Sequence, residues 1–262
     1  MNKIYRYIRF ESFIDMIIRK ELTFVHPTLW DDPHELSFLY QEIQDKFKKS
    51  KKLVGQETLE AILKFIIANK LYAQSWTLLD ESDALWRIYS YGGVSIRIAV
   101  DIEKIRFLKN VEIIEVDYVD SYEEIIKKYK DKVFYKLIGA KRKAFSHEKE
   151  VRLVTHYKYA NTSDATDHIK AFLELKGERE EFFKSIEPDK TDEEVTKLIE
   201  EEVERITKKL NINITDKLKR ISYAEVDDFI DSVMLNPFAP DWVDETLRIF
   251  CEQNNIRYLG KS

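Results

Sequence analysis

The chain has a single cysteine, Cys251, in 262 residues. One thiol excludes an intramolecular disulfide framework and a zinc site built on cysteines. No window reaches about 18 uninterrupted apolar residues, so a membrane-spanning helix is not expected. The first ten residues, M-N-K-I-Y-R-Y-I-R-F, carry neither a long apolar core nor a cleavage signal. Net charge is also small: 43 Lys and Arg stand against 48 Asp and Glu, a balance of −5. Non-specific nucleic-acid affinity driven by global charge is therefore not expected, although a local basic patch is compatible with the balance. Internal repeats and low-complexity linkers are lacking as well. These absences together lead to the expectation of a cytoplasmic protein with no membrane partner.

What is present favours a folded globule. Hydrophobic residues make up 44% of the chain and aromatics 13%, enough to build a full core in a single domain spanning 1–262 with one embellishment. Short alternating strands are separated by helices of uneven length. This succession predicts an α+β fold on a mixed, mostly antiparallel sheet split around a cleft and flanked by helices. Ile4 to Ile8 reads as the first strand, with Arg6 between two apolar neighbours, a placement that demands a partner or a cleft. Phe10 to Lys20 reads as a helix with Phe13, Ile14, Ile17 and Ile18 as its inner stripe. Strands are expected at Leu22 to Val25, Leu71 to Leu78, Val94 to Val100, Val111 to Val119 and Ile230 to Leu235. Helices are expected at Ala84 to Tyr91, Tyr122 to Ala144 and Trp242 to Asn254, with a last short strand at Ile256 to Leu259. From about Asn161 to Arg220 charged residues dominate, and Thr191-x-x-Glu194 is a capping-box signature. That region is expected to be a helical insertion lying beside the sheet.

The most informative stretch is Phe145 to Thr155, F-S-H-E-K-E-V-R-L-V-T. Read as one strand, its period of two places Glu148, Glu150 and Arg152 on a common face, with successive members about 6.6 Å apart. Two carboxylates at that spacing repel by roughly 2 to 3 kcal/mol at an effective dielectric near 20. Either Arg152 beside Glu150 or a ligand must offset this. A charged ladder on an open sheet face and an active-site pair both satisfy the pattern. A second cluster, Asp31, Asp32, His34 and Glu35 in a stretch marked by two prolines, reads as an ordered loop and the best metal-site candidate elsewhere in the chain.

In order along the chain stand Tyr5-Arg-Tyr7, Pro27-Thr-Leu-Trp-Asp-Asp-Pro-His-Glu35, Ser75-Trp-Thr77, Trp86 through Ile96, and Lys141 through Arg152. An apolar strand ending at Asn236 closes the series. In this combination the chain resembles a bacterial family of unknown function, DUF 2971, whose members carry Gly where Asn236 stands. More distantly, the Arg, Ser-x-Thr and Glu-x-Glu elements look like the triad of ADP-ribosyltransferases. That resemblance implies NAD as substrate and ADP-ribose transfer to an unknown protein or nucleic-acid acceptor. It also implies an effector of toxin or phage-defence type, with a cognate antitoxin as a further partner.

Under this resemblance Arg6 grips the pyrophosphate, with Tyr5 beside it. Ser75 and Thr77 approach the nicotinamide ribose, and Trp86 and Tyr89 are the nicotinamide-stacking candidates. Glu150 serves the ribose and stabilises an oxocarbenium-like transition state, and Glu148 assists the acceptor. If Arg152 neutralises Glu150, the two glutamates exchange roles. Each residue also has a plain structural reading: Arg6 paired with a glutamate across strands, Ser75 and Thr77 as ordinary strand residues, Trp86 and Tyr89 as core. Two other functions compete. One is a metal-dependent nuclease or phosphohydrolase using Asp31, Asp32, His34 and Glu35, with lysine runs holding phosphates. The other is a non-catalytic binding module.

Overall fold

A computed structural model of the chain describes residues 3–30, 71–90, 93–129, 138–156 and 217–262, together with a few positions between 185 and 205. The elements in order are β1 (Lys3–Arg9), α1 (Phe10–Arg19), β2 (Glu21–Val25), β3 (Leu71–Thr77), α2 (Asp83–Tyr89), β4 (Ser95–Asp101) and α3 (Ile102–Arg106). They continue with β5 (Val111–Glu115), β6 (Asp117–Val119), α4 (Tyr122–Tyr129), β7 (Ala140–Arg142), β8 (Glu150–His156), β9 (Leu218–Ser222), β10 (Ser232–Leu235), α5 (Asp241–Gln253) and β11 (Tyr258–Lys261). The fold is α+β on a mixed, mostly antiparallel sheet. Among the described residues nine strands form it, in the path β11-β10-β4-β1-β3-β2-β9, with β8 and then β5 added from β3. Strands β6 and β7 make a separate parallel pair.

Two nearly complete ladders meet at β3. On one side β1 pairs with β4 over its whole length, from Lys3↔Asp101 to Arg9↔Ser95. On the other, β3 pairs with β8 from Leu71↔His156 to Thr77↔Glu150. The remaining edge of β3 is divided: Thr77 meets Tyr5 of β1, and Ala73 meets Val25 of β2. Between those two contacts lies Ser75, and here the sheet opens.

The core fills one face. Ile4, Ile8, Ile96, Ile98, Val233 and Leu235 from the strands pack with Phe13, Ile17, Val243 and Leu247 from α1 and α5. Helix α1 buries Phe13, Met16 and Ile17, while Ile18 is 71% exposed, so its inner stripe runs through Met16, not Ile18. Cys251 of α5 is fully buried in this core, and burial pushes its thiol up to about 12. Asn236 is also buried. Its amide donates to the hydroxyls of Ser90 and Ser95, and its Oδ1 accepts from Phe238 N at 2.6 Å. The turn is thus held by side-chain bonds.

Several expectations need correction. Tyr122 to Ala144 is not one helix: α4 is described over Tyr122–Tyr129, Ala140–Arg142 is a strand, and a 3-10 turn begins at Lys143. The Val111 to Val119 strand divides at Val116, whose N–H donates to Glu150 O at 3.1 Å. Leu218 to Arg220 belong to β9, which pairs with β2, so the charged segment ends before the boundary read from composition. Within that segment the capping box is formed: Glu194 N donates to Thr191 Oγ1 at 3.3 Å, and Thr191 N donates to the Glu194 carboxylate at 2.9 Å. Most of the rest of the segment, the Asp31–Glu35 loop and the lysine run at 46–52 lie outside the described residues. Among the described residues no helix is long and apolar enough to cross a membrane.

Trp86 has a separate packing role. It is 1% exposed, meets the Tyr7 ring edge-on at 4.6 Å and packs with Leu85. Replacing it with alanine removes a buried indole, and such changes cost about 3 to 5 kcal/mol. Trp86→Ala is expected to lower the unfolding free energy by that amount in urea titrations, and a loss under about 1 kcal/mol would show the site is not packed as described.

Candidate functional site

The cavity of about 400 Å³ at the opening of the sheet is lined by Tyr5, Arg6, Ser75, Thr77, Tyr89, Glu148 and Glu150, among others. Strand pairing explains most of this convergence. Thr77 lies opposite both Tyr5 and Glu150, and Ser75 lies opposite Arg152. Paired residues in an antiparallel ladder project to the same face, so β1, β3 and β8 present these side chains together. Trp86 is the exception among the sequence candidates. It sits behind Tyr7 and does not line the cavity. Tyr89 does, with its ring stacked on Tyr7 at 6.1 Å.

Glu148 reaches the site by a different route from the one its spacing suggests. It does not lie on the strand. Lys143–Glu148 is a 3-10 turn, and Lys149 adopts a left-handed φ of 44° before β8 begins at Glu150. The pleat therefore does not place Glu148 and Glu150 on one face. Thr77 Oγ1 holds the turn instead, donating to Glu148 O at 2.6 Å and accepting from Leu79 N at 3.0 Å. Both bonding directions of the Thr77 hydroxyl are in use, so its observed role is to fix this corner.

The carboxylates meet over a cation, Lys141, to which the sequence pattern assigns no role. Lys141 Nζ lies 2.9 Å from Glu148 Oε2 and 2.9 Å from Glu150 Oε2. The two oxygens are consequently within about 6 Å of each other and repel by roughly 3 kcal/mol at an effective dielectric of 20. Each attraction to the shared ammonium is about twice that at the same dielectric, so the cluster holds. Arg152 adds a second cation: its Nε is 2.8 Å from Glu150 Oε1 and its Nη2 is 3.3 Å from Oε2. Arg152 is fully buried, donates to Ile138 O and lies 4.3 Å from the Trp30 ring centroid.

These partners set the ionisation of the site. Burial pushes the Glu150 carboxyl upward, but Arg152, Lys141 and a hydrogen bond from Ser75 outweigh it and hold the pKa at about 2. Arg6 is in the opposite position. Burial lowers its pKa to about 10, and among the described residues Tyr89 is what pulls it back; no carboxylate does so. Tyr89 is 41% exposed overall, yet its hydroxyl end is turned inward. Burial of that end, followed by Glu148 and Glu150, raises its pKa to about 12. Tyr5 is raised by burial and by Asp80, and stacks under the Arg97 guanidinium at 5.0 Å.

The cross-strand pairing of Arg6 with a glutamate is thus not what forms. The glutamates take Lys141 and Arg152, and Arg6 is left facing the cavity. Trp30, Gln74, Tyr118 and Lys141 are the contributors that residue-by-residue reading missed. Gln74 is buried and bonds Thr23 O and Trp76 Nε1 at 2.9 Å each, and the Tyr118 hydroxyl accepts from Glu150 N at 2.7 Å. Lys141 had a signal, seven residues before Glu148 in the family-like segment, but no period connects the two. Among the described residues no group of three or more His, Cys, Asp or Glu is arranged to hold a metal ion. Comparisons with family models, curated proteins and solved structures give no match to this chain.

Because the folded-state pKa of Glu150 lies below the ordinary 4.5, its contribution is present above about pH 4.5 and lost as pH falls toward 2. The shift corresponds to about 3 kcal/mol. Glu150→Gln is expected to lower stability at pH 7 by about that much and to flatten the acid slope of stability between pH 4.5 and 2. Unchanged stability in chemical denaturation at both pH values would show that the cluster is not formed.

Proposed function

We propose that the chain is an NAD-dependent ADP-ribosyltransferase-like enzyme acting on a macromolecular acceptor. The observation that carries this reading is the convergence of Arg6, Ser75, Thr77, Tyr89, Glu148 and Glu150, from three strands, a helix and a turn, on one cavity. Arg6 supplies a guanidinium without a carboxylate partner among the described residues, suited to bidentate bonding of a pyrophosphate. Tyr89 offers a ring face for the planar base and a neutral hydroxyl for donation. In the reaction the bond between the ribose C1′ and the nicotinamide nitrogen breaks. Its electron pair leaves with nicotinamide and neutralises the pyridinium charge. An acceptor nucleophile then bonds to C1′ and gives up its proton.

Family analogy assigns the ribose to Glu150, but the geometry favours Glu148. Glu150 accepts from Arg152, Lys141 and Ser75, which fills most of the acceptor capacity of a carboxylate. Glu148 uses only Oε2 among the described contacts, leaving Oε1 for a ribose hydroxyl. In this arrangement Glu150 anchors the cluster and Glu148 stabilises positive charge developing at C1′. The satisfied state of Glu150 also favours a second reading, a binding module for NAD-like ligands that does not turn them over.

Added NAD is expected to raise the thermal midpoint of the wild type, and Arg6→Ala to remove most of that rise while Arg6→Lys keeps part of it. Glu148→Gln is expected to abolish both ADP-ribose transfer and NAD hydrolysis without loss of fold. Thermal protection without turnover in the wild type would select the binding module, and no protection would end both readings. Activity retained in Glu148→Gln but lost in a folded Glu150→Gln would return the ribose to Glu150.

A further inference from the structure

Lys141 lies outside the triad of the proposed reading, yet both carboxylates of the cavity converge on it. We infer that Lys141 is the positioning residue that holds the Glu148 carboxylate beside Glu150 in the cavity. The inference rests on the proposed reading only for its consequence in catalysis; the placement itself is a property of the ligand-free chain.

The two glutamates are fixed in unequal ways. Glu150 is the first residue of β8, opposite Thr77, and its carboxylate is tied by Arg152 from the same strand. Glu148 has no such support. It ends a 3-10 turn and is followed by the left-handed Lys149, so no strand register directs its side chain. Thr77 holds its carbonyl but not its carboxylate. Among the described residues its carboxylate meets one cation, Lys141 at 2.9 Å.

Lys141 is itself well placed for this. Its backbone sits in β7 opposite Tyr118 of β6, outside the main sheet. Its ammonium lies 4.7 Å from the Phe145 ring centroid and is 8% exposed as a residue. The lysine therefore links the small sheet to the cavity wall and passes that link to Glu148. Among the described residues the charged or titratable groups facing it include Glu148 and Glu150, with Arg152 on Glu150, Tyr118 and Tyr89 nearby, and Arg142 also against the Phe145 ring. Removing the ammonium leaves two carboxylates close together, of which Arg152 meets Glu150 and not Glu148 among the described contacts. Such a pair takes up a proton more readily than either alone. A protonated or displaced Glu148 no longer offers an anionic oxygen to the ligand.

The test is a pH titration of ¹³C-labelled glutamate side-chain carboxyls in ligand-free protein, for the wild type, Lys141→Arg and Lys141→Met. In Lys141→Met one glutamate carboxyl is expected to titrate at least about one pH unit higher than in the wild type. Lys141→Arg is expected to restore the wild-type curve in large part, and Glu148→Gln in the Met background to remove the shifted titration. No displaced carboxyl in a folded Lys141→Met would overturn the inference. If Lys141→Met does not fold, Lys141→Met/Glu148→Gln decides. Recovery of folding in the double variant supports the inference, and failure of both overturns it, since Lys141 would then serve packing alone. Measuring NAD protection and hydrolysis on the same samples separates the two proposals. A shifted carboxyl in a protein whose wild type ignores NAD keeps the positioning role and ends the ADP-ribosyl reading.

Discussion

The structure depends on how β3 uses its two edges. One edge is fully paired with β8, so the glutamate–arginine end of that strand is fixed relative to Ser75 and Thr77. The other edge is shared by β1 and β2, which touch it at Thr77 and Ala73 respectively. Two strands cannot occupy the same ladder, and the stretch between those contacts is left without a backbone partner. In an ordinary sheet such an edge is a liability. Here Tyr5, Arg6, Trp30 and Tyr89 surround it, and the gap becomes the wall of a cavity.

Within that cavity the charges are sorted. Both carboxylates are matched by cations drawn from β7 and β8, while Arg6 on β1 is matched by none among the described residues. A buried pair is weak evidence of stability gained, because desolvation consumes most of the attraction. Its clearer effect is on ionisation: Glu150 remains an anion in an interior where burial alone would raise its pKa. Arg6 is the converse, a cation whose pKa burial lowers to about 10 but which stays charged at neutral pH. The asymmetry distinguishes this site from a charge ladder whose members all satisfy one another.

The sequence exposed the architecture more clearly than the chemistry. Apolar alternation located β1, β2, β3, β4, β10 and β11 to within a residue or two, because each has a face in the core. Leu218–Ser222 was hidden because only every second residue is partly covered and the stretch is flanked by charge. Ser75 and Glu150 were legible together, since strand pairing turns both to one face, whereas Arg6 alternates with Tyr5 on β1 and lines the cavity where the sheet opens. Glu148 was assigned to the right cavity for an incorrect reason: the period of two breaks at Lys149, whose left-handed backbone no composition announces. Lys141 was not legible as a partner, because its contact with Glu148 spans a turn and a change of sheet. Trp86 was ambiguous between platform and core, and its position behind Tyr7 could be decided only in three dimensions.

Cys251 gives the chain an internal reporter of its own motions. Its sulfur is sealed under α5 and its thiol is held almost wholly protonated at neutral pH. A thiol-reactive dye in solution reaches it only when the last helix lifts from the sheet or the whole domain opens. With no other cysteine in the sequence, the labelling rate of the unmodified protein is a single-site clock for that opening. Read with and without a ligand in the cleft, it measures how far binding on one side of the sheet is felt by the helix packed on the other.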